Sequence, residues 1–368
     1  MRKQSVYWTT AILVIASLVL TACGQAATPT QAPTQPPPEP TTPPPTEIPE
    51  PAVGSPEHPI KVLFVPSVDA QVIVAGGEIM KKALEDATGL TFEVSVPTSY
   101  AATIEEMCAS PTDTIGFIPA LGYALASNLC GVDVAFKAVR FGFDVYWAQI
   151  LVARDSPYQT IQDLAGKKWG YGDVGSTSGY MVPLVMFQDA GVVPGEEVQT
   201  GGHNQSAQAV YNGEVDFATT FYSPPTLVDT GAVAWQEGQD PDIPADLVSS
   251  CGLTADKSAL VCGNYRVRDA RANIREAAPD VIQKVRILTI SPPIPNDTLS
   301  FSPDFPADVR AQIEQALVDF SKTEEWAASI GSQDFYNWTG LNPATDEEYD
   351  FVRSMVAATG LTLDKLGQ

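Results

Sequence analysis

Basic residues are scarce in this chain of 368 residues: 21 Lys and Arg face 44 Asp and Glu, for a formal net charge of −23. That balance excludes attraction to nucleic acid or to an anionic membrane surface through bulk charge. It does not exclude a small anion, because local backbone N–H groups can hold one inside an acidic protein. There are only two histidines, His58 and His203, far apart in sequence, and no Cys-x-x-Cys. A zinc site is therefore not expected. The sequence has no Gly-x-Ser-x-Gly elbow, no P-loop and no cluster of metal-binding carboxylates. Beyond the first twenty residues no apolar run reaches spanning length, which argues against a polytopic protein. No repeat of solenoid period is present.

The N-terminus carries a localisation signal. Arg2 and Lys3 precede an apolar run from Val6 to Leu20, too short for a spanning helix but typical of a signal h-region. It ends in Leu20-Thr21-Ala22-Cys23, which resembles a bacterial lipobox, so Cys23 is the expected lipidation site. Residues 24–57 are rich in Pro, Thr, Ala and Glu, with Gln35-Pro36-Pro37-Pro38 and Pro43-Pro44-Pro45. Such a segment favours extended polyproline geometry and reads as a semi-rigid tether. These features place the protein outside the cytoplasm, anchored by lipid. Without Cys23, four cysteines remain, an even number in an oxidising compartment. Sequence proximity favours Cys108–Cys130 and Cys251–Cys262, although four cysteines allow three pairings and free thiols are the alternative.

The body is about 310 residues long, which suits two lobes. Lys61–Pro66 reads as a buried strand, and Gly77–Thr88 as an amphipathic helix with Ile79, Met80, Ala83 and Leu84 inward. Thr91–Val96 is a strand, and Ser99 caps a helix from Tyr100 to about Ala109. Thr114–Ile118 is a third strand, before a short helix. A second series runs through strands Tyr146–Ala153, Lys168–Tyr171 and Val215–Thr220, with helices to about Ala190 and over Gln205–Tyr211. Strand Val285–Ile290 leads to a Pro-rich crossing, 291–295, and a mostly helical end from Ala307 to Ile330 and Glu347 to Ala358. The rhythm predicts an α/β protein with mostly parallel sheets covered by helices.

Ser176-Thr177-Ser178-Gly179 falls between a strand and a helix. Its hydroxyls can cap the helix or donate to a ligand oxygen, and the first helical N–H groups form an anion cradle. By itself such a cluster more often only caps a helix. Pro183 should loosen or bend the helix's first turn. His203 after Gly201-Gly202, and Tyr100 and Tyr146 at element boundaries, are individually commoner as capping or packing residues. Asp297 after the crossing would ordinarily be a turn residue.

The ordered combination resembles a known family. Ser99-Tyr100-Ala101, the strand Tyr146–Ala153 continuing to Asp155-Ser156-Pro157, Gly175–Gly179 with Pro183, and Gly202-His203 recur in this order. So do the segments 209–219 (Ala-Val-Tyr-Asn-Gly-Glu-Val-Asp-Phe-Ala-Thr) and 291–297 (Ser-Pro-Pro-Ile-Pro-Asn-Asp). Over residues 59–327 the chain is similar to the phosphate/phosphite/phosphonate-binding components of ABC importers. The resemblance implies a two-lobed periplasmic-binding-protein-like (type II) clamp. It implies lobe 1 at 58–145, completed by 292–368, and lobe 2 at 146–291, with signal peptide 1–22 and tether 23–57.

It also implies a site in which Ser176, Thr177 and Ser178 hold a phosphorus oxyanion and Tyr100 reaches it from the other lobe. Tyr146, His203 and Asp297 complete that site near the hinge. Phenol O–H and imidazole N–H donate to phosphoryl oxygens, and Asp297 accepts a P–OH proton, selecting against sulfate. No Arg or Lys is required by this reading. Ser223 stands where aminoethylphosphonate binders carry a glutamate, which argues against an amine-bearing ligand. Phe117, Phe221 and Tyr222 are expected to shape a small, partly apolar pocket. The implied partners are a permease and its ATPase, with no cofactor, no metal and a monomeric state. The competing readings are a ferric-ion carrier using the same tyrosines, histidine and aspartate, and an extracellular phosphoester hydrolase.

Overall fold

Strand β1 (Ile60–Phe64) is buried along nearly its whole length, as its apolar run predicts for an interior strand. The structure is a computed structural model that describes residues 50–366. The signal segment, Cys23 and most of the Pro-rich stretch lie outside the described residues. The folded part begins before residue 58: Gly54 donates its N–H to the His58 carbonyl and accepts from Thr91 N–H, both at 2.8 Å.

From β1 the chain runs through α1 (Ala70–Thr88), β2 (Phe92–Ser95), α2 (Tyr100–Ala109), β3 (Thr114–Ile118), α3 (Ala120–Cys130) and β4 (Asp133–Val139). Helix α1 starts at Ala70, not Gly77, because Asp69 caps it, accepting from Gln71 and Val72 N–H. Gly76 and Gly77 suggest a break in sequence, yet both are buried inside the helix. A Cβ on Gly76 would lie 2.6 Å from Phe335 Cδ1, and one on Gly77 2.7 Å from Val94 Cγ1. Their role is close packing. Ile79, expected in the core stripe, is exposed, and Ile73 is buried instead.

The chain then forms β5 (Val145–Ala153), β6 (Trp169–Tyr171), α4 (Val182–Asp189), β7 (Glu197–Gln199), α5 (His203–Asn212) and β8 (Phe217–Tyr222). A small antiparallel sheet follows, made of β9 (Thr226–Leu227), β10 (Cys251–Leu253), β11 (Leu260–Cys262) and β12 (Tyr265–Arg266). Nothing in the sequence pattern announced it. β13 (Val285–Ile290) and β14 (Ile294–Pro295) return along β5. β15 (Thr298–Phe301) and β16 (Gly340–Pro343) rejoin the first sheet.

The first sheet has the order β16-β4-β15-β3-β1-β2 and the second β13-β5-β8-β6-β7, with β14 also on β5. Both sheets are mixed, which corrects the expectation of mostly parallel ones. Only β2-β1-β3 and β8-β6-β7 are parallel. Parallel neighbours need a covering crossover helix. β15 enters its sheet directly from β14, without one, and lies antiparallel to both β3 and β4. Separate apolar cores form under the first sheet and on the two faces of the second.

Both disulfides pair as sequence proximity favoured. Cys108–Cys130 ties the end of α2 to the end of α3, and Cys251–Cys262 joins directly opposed residues of β10 and β11. The single helix expected from Ala307 is interrupted: Ala307–Phe320 ends, and Thr323 caps a new turn, Glu324–Ala328.

Candidate functional site

Two chain crossings join the sheets, at 140–144 and at 291–297. They lie side by side, because β14 pairs with β5 through Tyr146–Ile294 and Val145–Pro295. Beside them is a cavity of about 50 Å³. Tyr100, Tyr146, Ser176, Ser178, His203 and Asp297 all line it, so six of the seven candidate residues, scattered over about 200 positions, meet in one place.

The turn carrying the serines is wider than an α-turn. Thr177–Met181 is π-helical, with Val182 N–H bonded to the Thr177 carbonyl, and α4 begins only afterwards with Pro183 in its first turn. The expected loosening before Pro183 takes this form. Ser176 caps the turn, its Oγ accepting from Gly179 N–H at 3.0 Å. The N–H groups of Thr177 and Ser178 find no acceptor among the described residues, as the first turn of a helix dictates. Thr177 itself does not line the cavity. It is fully buried, and its Oγ1 accepts from Leu121 N–H at 2.9 Å, bridging this turn to the start of α3.

The first sheet's side approaches closely. A Cβ on Gly175 would stand 2.6 Å from Tyr100 Cβ, so only glycine admits this contact. His203 opens α5 and donates its N–H to the Ser67 carbonyl at 3.1 Å. Its ring stands edge-on to Phe221, and its Nδ1 is buried without a partner. Burial, reinforced by the Arg140 charge, pushes its pKa down to about 4, so the ring is neutral near pH 7. Burial raises both Tyr100 and Tyr146, which keeps their hydroxyls protonated. The Tyr146 phenol faces Ser178 and Thr177.

One expectation needs correction. An arginine does enter the cavity: Arg140 Nη2 donates to Asp297 Oδ2 at 2.5 Å, its Nη1 to Asn296 and its Nε to the Tyr336 carbonyl at 3.0 Å. The guanidinium also lies 5.4 Å from the Tyr146 ring centre. Asp297 Oδ1 is left without a protein partner among the described residues. Asp297 is the one carboxylate in the lining and Arg140 the one full cation.

Gln333, Phe335, Tyr336 and Asn337, which no sequence motif marks, close the cavity from the first sheet's side. Phe117 and Phe221 line it as expected. Tyr222 does not: as Phe221's neighbour on β8 it faces away, packing against Trp147 and Trp235. Ser223 is buried and likewise outside the lining.

Over residues 62–349 the chain matches a family model described as ABC transporter, phosphonate, periplasmic substrate-binding protein. It is 27% identical over 331 residues to the phosphate-import protein PhnD of Mycolicibacterium smegmatis, which covers 84% of this chain and 88% of that protein. It is 28% identical over 143 residues to the phosphonates-binding periplasmic protein of Escherichia coli, 37% of this chain and 42% of that one. The fold is similar to a binding protein component of an ABC phosphonate transporter from Pseudomonas aeruginosa, with a TM-score of 0.62 and 16% identity over 82% of this chain and 86% of that one. It is also similar to PhnD1 of Prochlorococcus marinus in complex with methylphosphonate, with a TM-score of 0.60 and 13% identity over 82% and 98%.

Proposed function

Because this chain belongs to the family of periplasmic phosphonate-type substrate-binding proteins of ABC transporters, we propose that its cavity captures a small phosphorus oxyanion that carries no amine. The protein is the extracytoplasmic binding component of such an importer, with the two-lobed α/β fold of type II periplasmic binding proteins. A permease and its ATPase are the partners that role implies. The lobes divide at 58–145 with 292–368, and at 146–291, and they close on the ligand about the paired crossings.

The observation that carries the reading is the convergence of six of the candidate residues on one cavity of about 50 Å³. A water needs roughly 10–15 Å³ on this measure, so the space suits a group of a few heavy atoms. The free N–H groups of Thr177 and Ser178, the serine hydroxyls, both tyrosines and neutral His203 are donors to its oxygens. Thr177 contributes only through its amide, since its side chain lies outside the lining and accepts from Leu121 N–H. Arg140 supplies the positive charge, and the free Oδ1 of Asp297 accepts a P–OH proton.

The ferric reading has less support, because the Asp297 carboxylate is already paired with Arg140. Turnover has less support: no hydrogen bond joins the His203 ring to a serine hydroxyl among the described residues, and a nucleophile without a base is weak. Fluorescence titration of the full chain, purified in detergent, with inorganic phosphate, phosphite and methylphosphonate tests the reading. Saturable binding of at least one, lost in Ser178→Ala, supports it; no response to any of them counts against it.

The lipobox and Pro-rich tether support anchoring through lipidated Cys23. Several acyl chains are expected, since one anchors only marginally. Cys23→Ala should release the protein from the membrane fraction; unchanged retention and mass would refute the anchor.

A further inference from the structure

The segment from Ser332 to Asn337 does more than line the cavity. Gln333, Phe335, Tyr336 and Asn337 face the ligand space, while the residue between them, Asp334, turns outward to the opposite lobe. There Arg275 holds it in two parallel bonds, Nη1–Oδ1 at 2.5 Å and Nη2–Oδ2 at 2.8 Å. Next to it, Arg268 Nη1 donates to Gln333 Oε1 at 2.9 Å. Both arginines belong to the second lobe, where Ala272 and Ile274 sit in its core, whereas Phe335 and Tyr336 belong to the core of the first.

Both arginines are pre-set. Arg268 donates Nε to Thr226 Oγ1 at 3.0 Å within its own lobe, and it also lies 4.5 Å over the ring of Phe141, which belongs to the first lobe. Arg275 donates Nε to the Lys257 carbonyl and Nη1 to the Ala272 carbonyl. Phe141, Lys257 and Asn337 are the three non-glycine residues with left-handed backbone among the described residues, at φ of 52°, 61° and 58°. All three line the groove that houses these contacts. Such backbone persists only where its surroundings hold it, and it gathers at functional positions.

We propose that the strap Ser332–Asn337, gripped by Arg268 and Arg275, is an interlobe latch that sets how long bound ligand is retained. The inference rests on the clamp reading given above. The strap ties directly to the ligand site, since the Tyr336 carbonyl accepts from Arg140 and the Tyr336 hydroxyl donates to the Val65 carbonyl at 2.7 Å. Arg275 is buried, but Asp334 is 42% exposed. A pair of this kind is modest in strength and weakened by salt, which suits a contact that must open for delivery. Its bonds form only after the lobes meet, so it acts on dissociation and not on encounter.

Stopped-flow kinetics on the full chain in detergent, with phosphate, phosphite and methylphosphonate as probes, tests this. Asp334→Asn and Arg275→Gln should each speed dissociation by about fivefold, with association within about a factor of two. The double variant should be no faster than either single one, because the two residues act as one contact. Raising ionic strength on the unmodified chain should speed dissociation in the same sense, a check that needs no variant to fold. Unchanged dissociation in both variants, or effects that multiply in the double, overturns the latch. If the unmodified chain binds none of the three probes, the ligand reading fails on its own. X-ray scattering of the ligand-free chain then decides the latch: it should hold a share of lobe-closed molecules that Asp334→Asn loses, so the variant should be more expanded than the parent, and identical curves would reject it.

Discussion

Arg140 and Asp297 sit 2.5 Å apart on adjoining crossings between the two sheets. The cation arrives from the chain leaving the first sheet and the carboxylate from the chain returning to it. Together they leave the cavity without net charge, inside a protein of −23. On the proposed reading, one guanidinium serves both to neutralise Asp297 and to attract the ligand. Arg140→Gln should weaken phosphate-type binding by about 2–3 kcal/mol, since it removes a charge-assisted partner and leaves Asp297 unpaired. Asp297→Asn should cost less affinity but narrow the preference for phosphate over sulfate, because the acceptor for a P–OH proton is lost. Calorimetric titration of both variants with phosphate and sulfate checks this. Equal losses for both anions in Asp297→Asn would go against the assigned role.

The contact of Gly175 with Tyr100 gives a steric test. A methyl at Gly175 meets Tyr100 Cβ at 2.6 Å, so it opposes the approach of the two lobes more than the folding of either. Gly175→Ala should weaken binding by at least about tenfold, or roughly 1.4 kcal/mol, with little change in the urea midpoint. Parallel binding and denaturation curves decide it.

His203 predicts an acid limb in stability. Its folded pKa of about 4 lies below the ordinary value near 6.5. The unfolded chain therefore binds the proton more readily, so stability is lost as pH falls from about 6.5 to about 4 and no further below that. The loss amounts to about 3 kcal/mol. His58 acts in the opposite sense, because hydrogen bonds to Pro51 and Asp113 raise its pKa. Urea unfolding of the ligand-free chain against pH, compared with His203→Gln, isolates the contribution. Parallel curves for the two proteins would contradict it.

Much of this site was legible because its residues stand at element boundaries, where sequence speaks clearly. Ser99 and Ser176 cap as their positions require, with Oγ accepting from Ala102 and Gly179 N–H. Pro183 marks the widened turn. Arg140 was not legible: nothing local distinguishes an arginine that reaches a cavity from one that pairs on the surface. The strap Ser332–Asn337 has neither helical nor strand period, and its position depends on Gly76, more than 250 residues earlier, leaving room for Phe335. Tyr222 and Phe221 are adjacent aromatic residues, and only strand pairing reveals which of them faces the cavity.

Calorimetry of the full chain against phosphate, phosphite, methylphosphonate, aminoethylphosphonate and sulfate tests the central claim most directly. The lining offers an ammonium no uncompensated negative charge, since Arg140 neutralises Asp297, its one carboxylate, and Phe117 and Phe221 supply apolar wall. Burying an unpaired charge is costly. Sulfate has no proton to give Asp297 Oδ1. At least one of phosphate, phosphite and methylphosphonate should therefore bind more tightly than both aminoethylphosphonate and sulfate. Tightest binding of aminoethylphosphonate would contradict the selectivity, and tightest binding of sulfate would contradict a phosphorus ligand altogether.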